Sequence, residues 1–233
     1  MSVPAMLVLA PHPDDETLGA GGTIAALAGA GGEVTVLTVA GHLPPLYPPE
    51  VHEQRLVEAR RAHTVLGVKE AVFLDYPAVL LGQVPVPELN ARVKEVVERV
   101  RPDVLLVPFL DRHLDHRLVF EAAMVAARPV GVGRGIGVVA AYETVSSTHW
   151  NAPHLEPTFA PNWCVDISNH IDAKLEALSR YESELDAFPG ARSMEAVRAL
   201  ALFRGSQAGC GFAEGFHVLR MSVPPHILAL GPR

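Results

Sequence analysis

Two short stretches, His12-Pro13-Asp14-Asp15-Glu16 and Asp111-Arg112-His113-Leu114-Asp115-His116, concentrate imidazoles and carboxylates. These are donors for a catalytic divalent metal, which takes about three protein ligands and leaves a position for water. His12, Asp15 and His116 would supply two nitrogens and an oxygen, with Pro13 constraining the turn between the first two. Asp14 then remains as an unliganded carboxylate beside the metal. Water on such a metal has its pKa lowered toward neutrality, and a neighbouring carboxylate can take its proton. His113 would stand opposite; as an imidazolium it would stabilise an oxyanion or protonate a leaving amine. Nucleophile, base, Lewis acid and general acid are the parts needed to hydrolyse an amide. Each stretch alone has a plainer explanation. Asp is a good helix N-cap, and His-x-x-His pairs often sit on solvated helix faces. The case for a site rests on where both stretches fall in the fold.

The pattern around them is an alternation of short apolar runs and helical periodicities. Strands are expected at 6–10, 34–40, 71–76 and 103–109, and helices at 16–29, 51–67, 87–101 and 116–127. Later strands are expected at 137–143, 164–168 and 215–221, with helices at 169–186 and 193–204. Continuously apolar strands are what a parallel sheet covered by helices on both faces requires. The expectation is an α/β three-layer sandwich with a mostly parallel central sheet, forming one domain over 1–233. In such sheets ligands bind beyond the carboxyl ends of the strands. His12 follows the first strand, Asp75 ends the third, and Asp111 to His116 follow the fourth. Asp75 is therefore a candidate substrate contact. Gly19, Gly21 and Gly22 match a dinucleotide fingerprint poorly: position 24 is Ile, and acids that would repel a pyrophosphate occupy the turn. They read instead as close packing of a helix on the sheet.

The 233 residues are 49% hydrophobic and 19% charged, with a net charge of −7 and no long block of like charge. That balance argues against nucleic acid or an anionic membrane as partner. The first residues lack the basic region of a signal peptide, and no run is long enough to span a bilayer. Cys164 and Cys210 form no CxxC and read as buried thiols of a reducing compartment. A soluble, cytoplasmic protein is expected.

"APHPDDETLGAGGTIA" and "DRHLDH" together resemble the two signature motifs of the PIG-L (LmbE-like) family of zinc-dependent de-N-acetylases. Weaker similarities lie in "QRLVEARRAHTVLGV" (54–68), "KLEALSRYESELDAF" (174–188) and "ALALFRGSQAGCGFAEGF" (199–216). The resemblance implies a Rossmann-like fold and removal of acetate from N-acetylglucosamine-type sugars. It implies His12, Asp15 and His116 as ligands of one zinc per chain, Asp14 as general base, His113 as second catalytic group and Arg55 as a substrate contact. It also implies Asp115 as the outer carboxylate orienting that histidine, and a homo-oligomer of three or six chains. Iron(II) suits the same nitrogen and oxygen donors. Three positions depart from the family pattern: "TVAGHLPP" (38–45), Glu184 where Gln is common, and Asp111 where some members carry Tyr. The first and third bear on substrate choice, and none is expected to touch the metal shell.

Two other readings remain open: a zinc amidase acting on a larger amide such as a thiol conjugate, and a sugar- or nucleotide-binding module with a vestigial site. His42, His52, His63, His149, His154, His170 and His226 show no partner pattern and are set aside as surface or satisfied core residues. The proline-rich segment 41–50 is a surface loop or a lid. The loop between Trp150 and Trp163 either stacks on a sugar ring or packs in the core.

Overall fold

A computed structural model describes residues 3–42 and 48–222. Five strands run parallel: β1 (Ala5–Ala10), β2 (Glu33–His42), β3 (Glu70–Pro77), β4 (Val104–Pro108) and β5 (Val138–Tyr142). β6 (Trp163–Asp166) and β7 (Ala213–Met221) complete a seven-stranded sheet of order β3-β2-β1-β4-β5-β7-β6, with β7 antiparallel to both neighbours. The mostly parallel sandwich expected from the sequence is the observed fold.

Alternate residues of each parallel strand feed opposite cores, because side chains in a strand point to alternating faces. Leu7 and Leu9 of β1 pack with Leu89, Val93 and Val97 of α3 (Val86–Val100) and Val119 of α4 (Leu114–Ala126). Met6, Val8 and Ala10 pack on the other face. There they meet Ile24 of α1 (Asp15–Gly29), Ala59 and Leu66 of α2 (Pro49–Leu66), and Ala177 of α5 (Ile171–Leu178). Each of the leucine, isoleucine, valine and methionine side chains among these contributes about 1.5–3 kcal/mol when fully buried, and each alanine less. The glycines of α1 serve its close approach to the sheet: a Cβ at Gly19 would lie 2.1 Å from the Tyr142 ring, and one at Gly22 would lie 2.6 Å from Ile167.

The segment expected to be helical over 169–186 ends at Leu178. Beyond it the chain turns, and tertiary contacts claim its side chains: Tyr181 is buried and donates to Glu16 Oε1 at 2.5 Å. A last helix, α6 (Met194–Ala208), starts from Ser193, whose side chain accepts the Ala196 N–H. Among the described residues no helix is long and apolar enough to cross a membrane.

β1 lies between β2 and β4, so the strand order reverses there, and the crevice beyond the carboxyl ends of β1 and β4 is the expected ligand position. The His12 and Asp111–His116 stretches leave these two strands.

Candidate active site

The turn after β1 aims its acids at that crevice. Asp14 is the N-cap of α1 and sits at φ 108°, in the left-handed region. A non-glycine residue there costs on the order of 1–3 kcal/mol and persists only where its surroundings hold it. Its carbonyl still accepts the Thr17 and Leu18 N–H groups, but its side chain makes no capping bond. The carboxylate is spent on the cavity instead.

Asp15 opens α1. Its Oδ2 accepts the His12 backbone N–H at 3.0 Å and lies 3.3 Å from His12 Nδ1 and 3.4 Å from His116 Nε2. Metal–ligand bonds of about 2.0–2.1 Å in a tetrahedron hold donor atoms about 3.3–3.4 Å apart. The remaining nitrogen of each ring is occupied: His12 Nε2 bonds Asp115 Oδ2 at 2.8 Å, and His116 Nδ1 bonds Asp111 Oδ2 at 3.0 Å. Outer carboxylates of this kind fix a histidine's tautomer and leave its inward lone pair free. The donor set therefore fits a divalent cation.

The local electrostatics agree. Burial resists charge on His116, but Asp15 and Asp111 overcome it and push its pKa up to about 10. Burial also opposes ionisation of Asp15, yet His116 and His12 hold its carboxyl well below the usual carboxylate range. Three acids around two imidazoles form a field that favours positive charge.

Asp14 is tuned the other way. Burial pushes its pKa well above the usual range, opposed by the Arg192 guanidinium 3.3 Å from Oδ2. Among the described residues Oδ2 has no hydrogen-bond partner. His113, the N-cap of α4, accepts the Asp115 N–H on Nδ1 at 3.2 Å, which leaves Nε2 to carry its proton. Burial, with His12 and His116 nearby, lowers its pKa to about 4. The ring is thus a neutral N–H donor at pH 7, not the imidazolium expected from the sequence.

His12, Asp14 and His113 line a cavity of about 110 Å³ together with Arg55, Glu184 and Arg192. Glu184 joins the two arginines: Oε1 lies 2.6 Å from Arg55 Nη2, and Oε2 accepts from Arg192 Nη1 at 2.7 Å. His113, Glu184 and Arg192 also border a more open groove of about 360 Å³, flanked by Arg112 and the exposed Trp150. Trp163 packs against Phe216 at 5.1 Å.

The structure thus brings His12, Asp14, Asp15, Arg55, His113, Asp115 and His116 together. Asp75 does not reach this cavity; it pairs with His52 Nε2 at 2.7 Å in a smaller neighbouring pocket. The Asp115 carboxylate turns to His12, and only its backbone N–H reaches His113. Asp111 does touch a ligand candidate, contrary to expectation, and is fully buried, with Thr148 Oγ1 donating to it at 2.9 Å. Arg192 was not foreseen, and Glu184 stood out only as a departure. Residues 43–47 of the proline-rich loop lie outside the described residues.

The sequence matches the PIG-L family, described as GlcNAc-PI de-N-acetylase, over residues 7–127. It is 31% identical over 229 residues to a diacetylchitobiose deacetylase of Thermococcus kodakarensis, covering 91% of this chain and 82% of that protein. The chain belongs to the PIG-L family. It is a hydrolytic de-N-acetylase. A 1D-myo-inositol 2-acetamido-2-deoxy-alpha-D-glucopyranoside deacetylase of Kineococcus radiotolerans is 32% identical over 172 residues, 57% of this chain and 47% of that one. Among solved structures, the conserved protein TT1542 of Thermus thermophilus superposes with a TM-score of 0.74 at 27% identity, covering 94% of this chain and 96% of that one. GalB, a 4-carboxy-2-hydroxymuconate hydratase of Pseudomonas putida, reaches 0.75 at 22% identity, covering 95% and 98%. One fold therefore carries two chemistries, and the site and the family decide the reaction.

Proposed function

We propose that this PIG-L member removes the acetyl group from the amine of an N-acetylglucosamine-type conjugate at one divalent-metal centre held by His12, Asp15 and His116. Zinc is the metal its two-nitrogen, one-oxygen set suits, and iron(II) suits the same donors. The observation that carries the reading is that His12 Nδ1 and His116 Nε2 lie 3.3 and 3.4 Å from Asp15 Oδ2, beside an Asp14 oxygen that has no hydrogen bond among the described residues and only the Arg192 ion pair at 3.3 Å.

A metal bound there supplies Lewis acidity, polarising the acetamide carbonyl and easing deprotonation of water. The residues of the chain do the rest. Asp14, its basicity raised by burial, takes the water proton as oxygen attacks the acetamide carbon. His113 donates its Nε2–H to the oxyanion that develops, as a neutral donor placed before the reaction begins. Asp14 then returns its proton to the amide nitrogen, the C–N bond breaks, and acetate and the free amine leave. Arg192 keeps Asp14 ionisable against its buried setting.

The volumes support a conjugate rather than a free monosaccharide. At about 110 Å³ the inner cavity is below the roughly 300–1,000 Å³ usual for a ligand site, so it suits the acetamido end. The adjoining groove of about 360 Å³ takes the rest, with Trp150 at its edge. The same groove favours a second reading, cleavage of a larger amide. Acetate release measured side by side on N-acetylglucosamine and its chitobiose, inositol and malate conjugates tests the first reading. Faster release from a conjugate than from the free sugar supports it. Turnover confined to larger amides would replace it.

A further inference from the structure

Beside the active-site cavity, His42 at the end of β2, His52 in the first turn of α2 and Asp75 in β3 bring three donor atoms within 4.8 Å of one another. We propose that His42, His52 and Asp75 form a second divalent transition-metal site, separate from the centre at His12, Asp15 and His116. Asp75 Oδ1 is the hub, hydrogen-bonded to His52 Nε2 at 2.7 Å and 3.4 Å from His42 Nδ1. A cation would replace the proton shared by His52 and Asp75 and part that pair to the about 3.3–3.4 Å of metal donors. These are again two imidazole nitrogens and one carboxylate oxygen, the set that binds zinc.

Three local features aim the donors at one point. Asp75 sits at φ 59°, a left-handed conformation that a non-glycine residue adopts at a cost. The β2–β3 pairing shifts register between Thr38 and Ala40 and again between Ala40 and His42, and such irregularities redirect side chains. Gly41 lets the His52 ring close in, since a Cβ there would lie 2.8 Å from His52 Cε1. The two rings stand 5.5 Å apart at 55° instead of stacking, and His42 Nδ1 is buried without a hydrogen bond among the described residues. The Asp75 side chain is 64% exposed, which keeps one side of the site open to water as a further ligand.

The site backs onto the catalytic cavity. Pro13 and Gly41 belong to the walls of both. His52 lies three residues before Arg55 on α2, so the two project from the same side of the helix. A cation joining His52 to β2 and β3 would fasten the first turns of α2, and with them the Arg55 that pairs with Glu184.

The test is zinc binding by the metal-stripped full chain, read as stoichiometry by calorimetry and by metal content after gel filtration. Wild type binds two equivalents, the second more weakly, and His42→Ala and His52→Gln each bind one. Hydrogen exchange gives the location: the second equivalent slows exchange in residues 49–56 of wild type and not in His42→Ala. A single equivalent in wild type would overturn the proposal. So would two equivalents retained in both variants, or protection that appears elsewhere. None of these readings depends on turnover, so failure here is distinct from failure of the deacetylase reading.

Discussion

Two sets of two imidazoles and one carboxylate stand at neighbouring strand ends, and they differ in what lies behind the donors. At the inner set, every ring nitrogen facing away from Asp15 is held by another carboxylate, Asp115 on His12 and Asp111 on His116. Side-chain exposure there is 18%, 1% and 1% for His12, Asp15 and His116. At the outer set it is 30%, 12% and 64% for His42, His52 and Asp75, and neither ring has an outer carboxylate among the described residues. The inner donors are oriented before any cation arrives. The outer ones are gathered by backbone irregularities, and much of their field is lost to solvent screening. Equal donor chemistry therefore need not mean equal affinity. Among the described residues, only the inner set has beside it a buried carboxylate that no ligand candidate claims, Asp14, paired loosely with Arg192 at 3.3 Å, and this equips the inner set for catalysis.

That contrast breaks most sharply at Asp14. Asp14→Asn keeps the shape and removes the base, so acetate release should fall by about 10²–10⁴-fold while the inner metal is retained. Loss of metal together with activity would make Asp14 a ligand and erase the distinction. Arg192→Ala, which strips the cation from Asp14 and Glu184, should lower acetate release by about 10–100-fold, the worth of a charge-assisted bond, again with metal content unchanged. Asp111→Asn and Asp115→Asn should each weaken inner metal binding by about 10–100-fold in a zinc-competition titration. The same changes should leave the outer site's affinity as it was.

The smallest effect is a reference from a buried carboxylate that needs no metal. Glu143 accepts two bonds from Arg204, at 2.7 and 2.6 Å, and lies 3.1 Å from His149 Nε2. Burial raises its pKa, but Arg204 and His149 outweigh that and bring it below the usual glutamate value. A depressed folded pKa means stability present above the unfolded value of about 4.3 and lost as pH falls through the folded one. Urea unfolding between pH 3 and 7 should show a decline below about pH 4.3 that Glu143→Gln flattens, with or without zinc.

Much of the inner site was legible because its chemistry coincides with element boundaries. A continuously apolar strand ends at Ala10 and the imidazole and acids follow within four residues, and after β4 the first acid, Asp111, follows within three. Parallel strand order then brings those ends together. Arg192 was not legible, since it sits in a turn-rich segment with no periodicity and meets Asp14 only through folding. The overlong helix had a related cause: apolar spacing continues past Leu178, but Tyr181 and Glu184 are drawn to Glu16, Arg55 and Arg192. Asp111 was read as a substrate-side position because its short spacing from His116 does not reveal which ring atom it meets. The outer cluster was not legible as a cluster: Asp75 reads as a substrate contact, and His42 and His52 show no partner pattern. His42, His52 and Asp75 come from three elements, and it is the bulged β2–β3 pairing that joins them.

The most direct test is acetate release from N,N'-diacetylchitobiose by metal-stripped protein as zinc is titrated back. Activity should be absent without metal and reach its maximum at the first equivalent, with His116→Ala failing to recover at that point. Full activity in the stripped protein, or no acetate once the inner site is filled, would contradict the account.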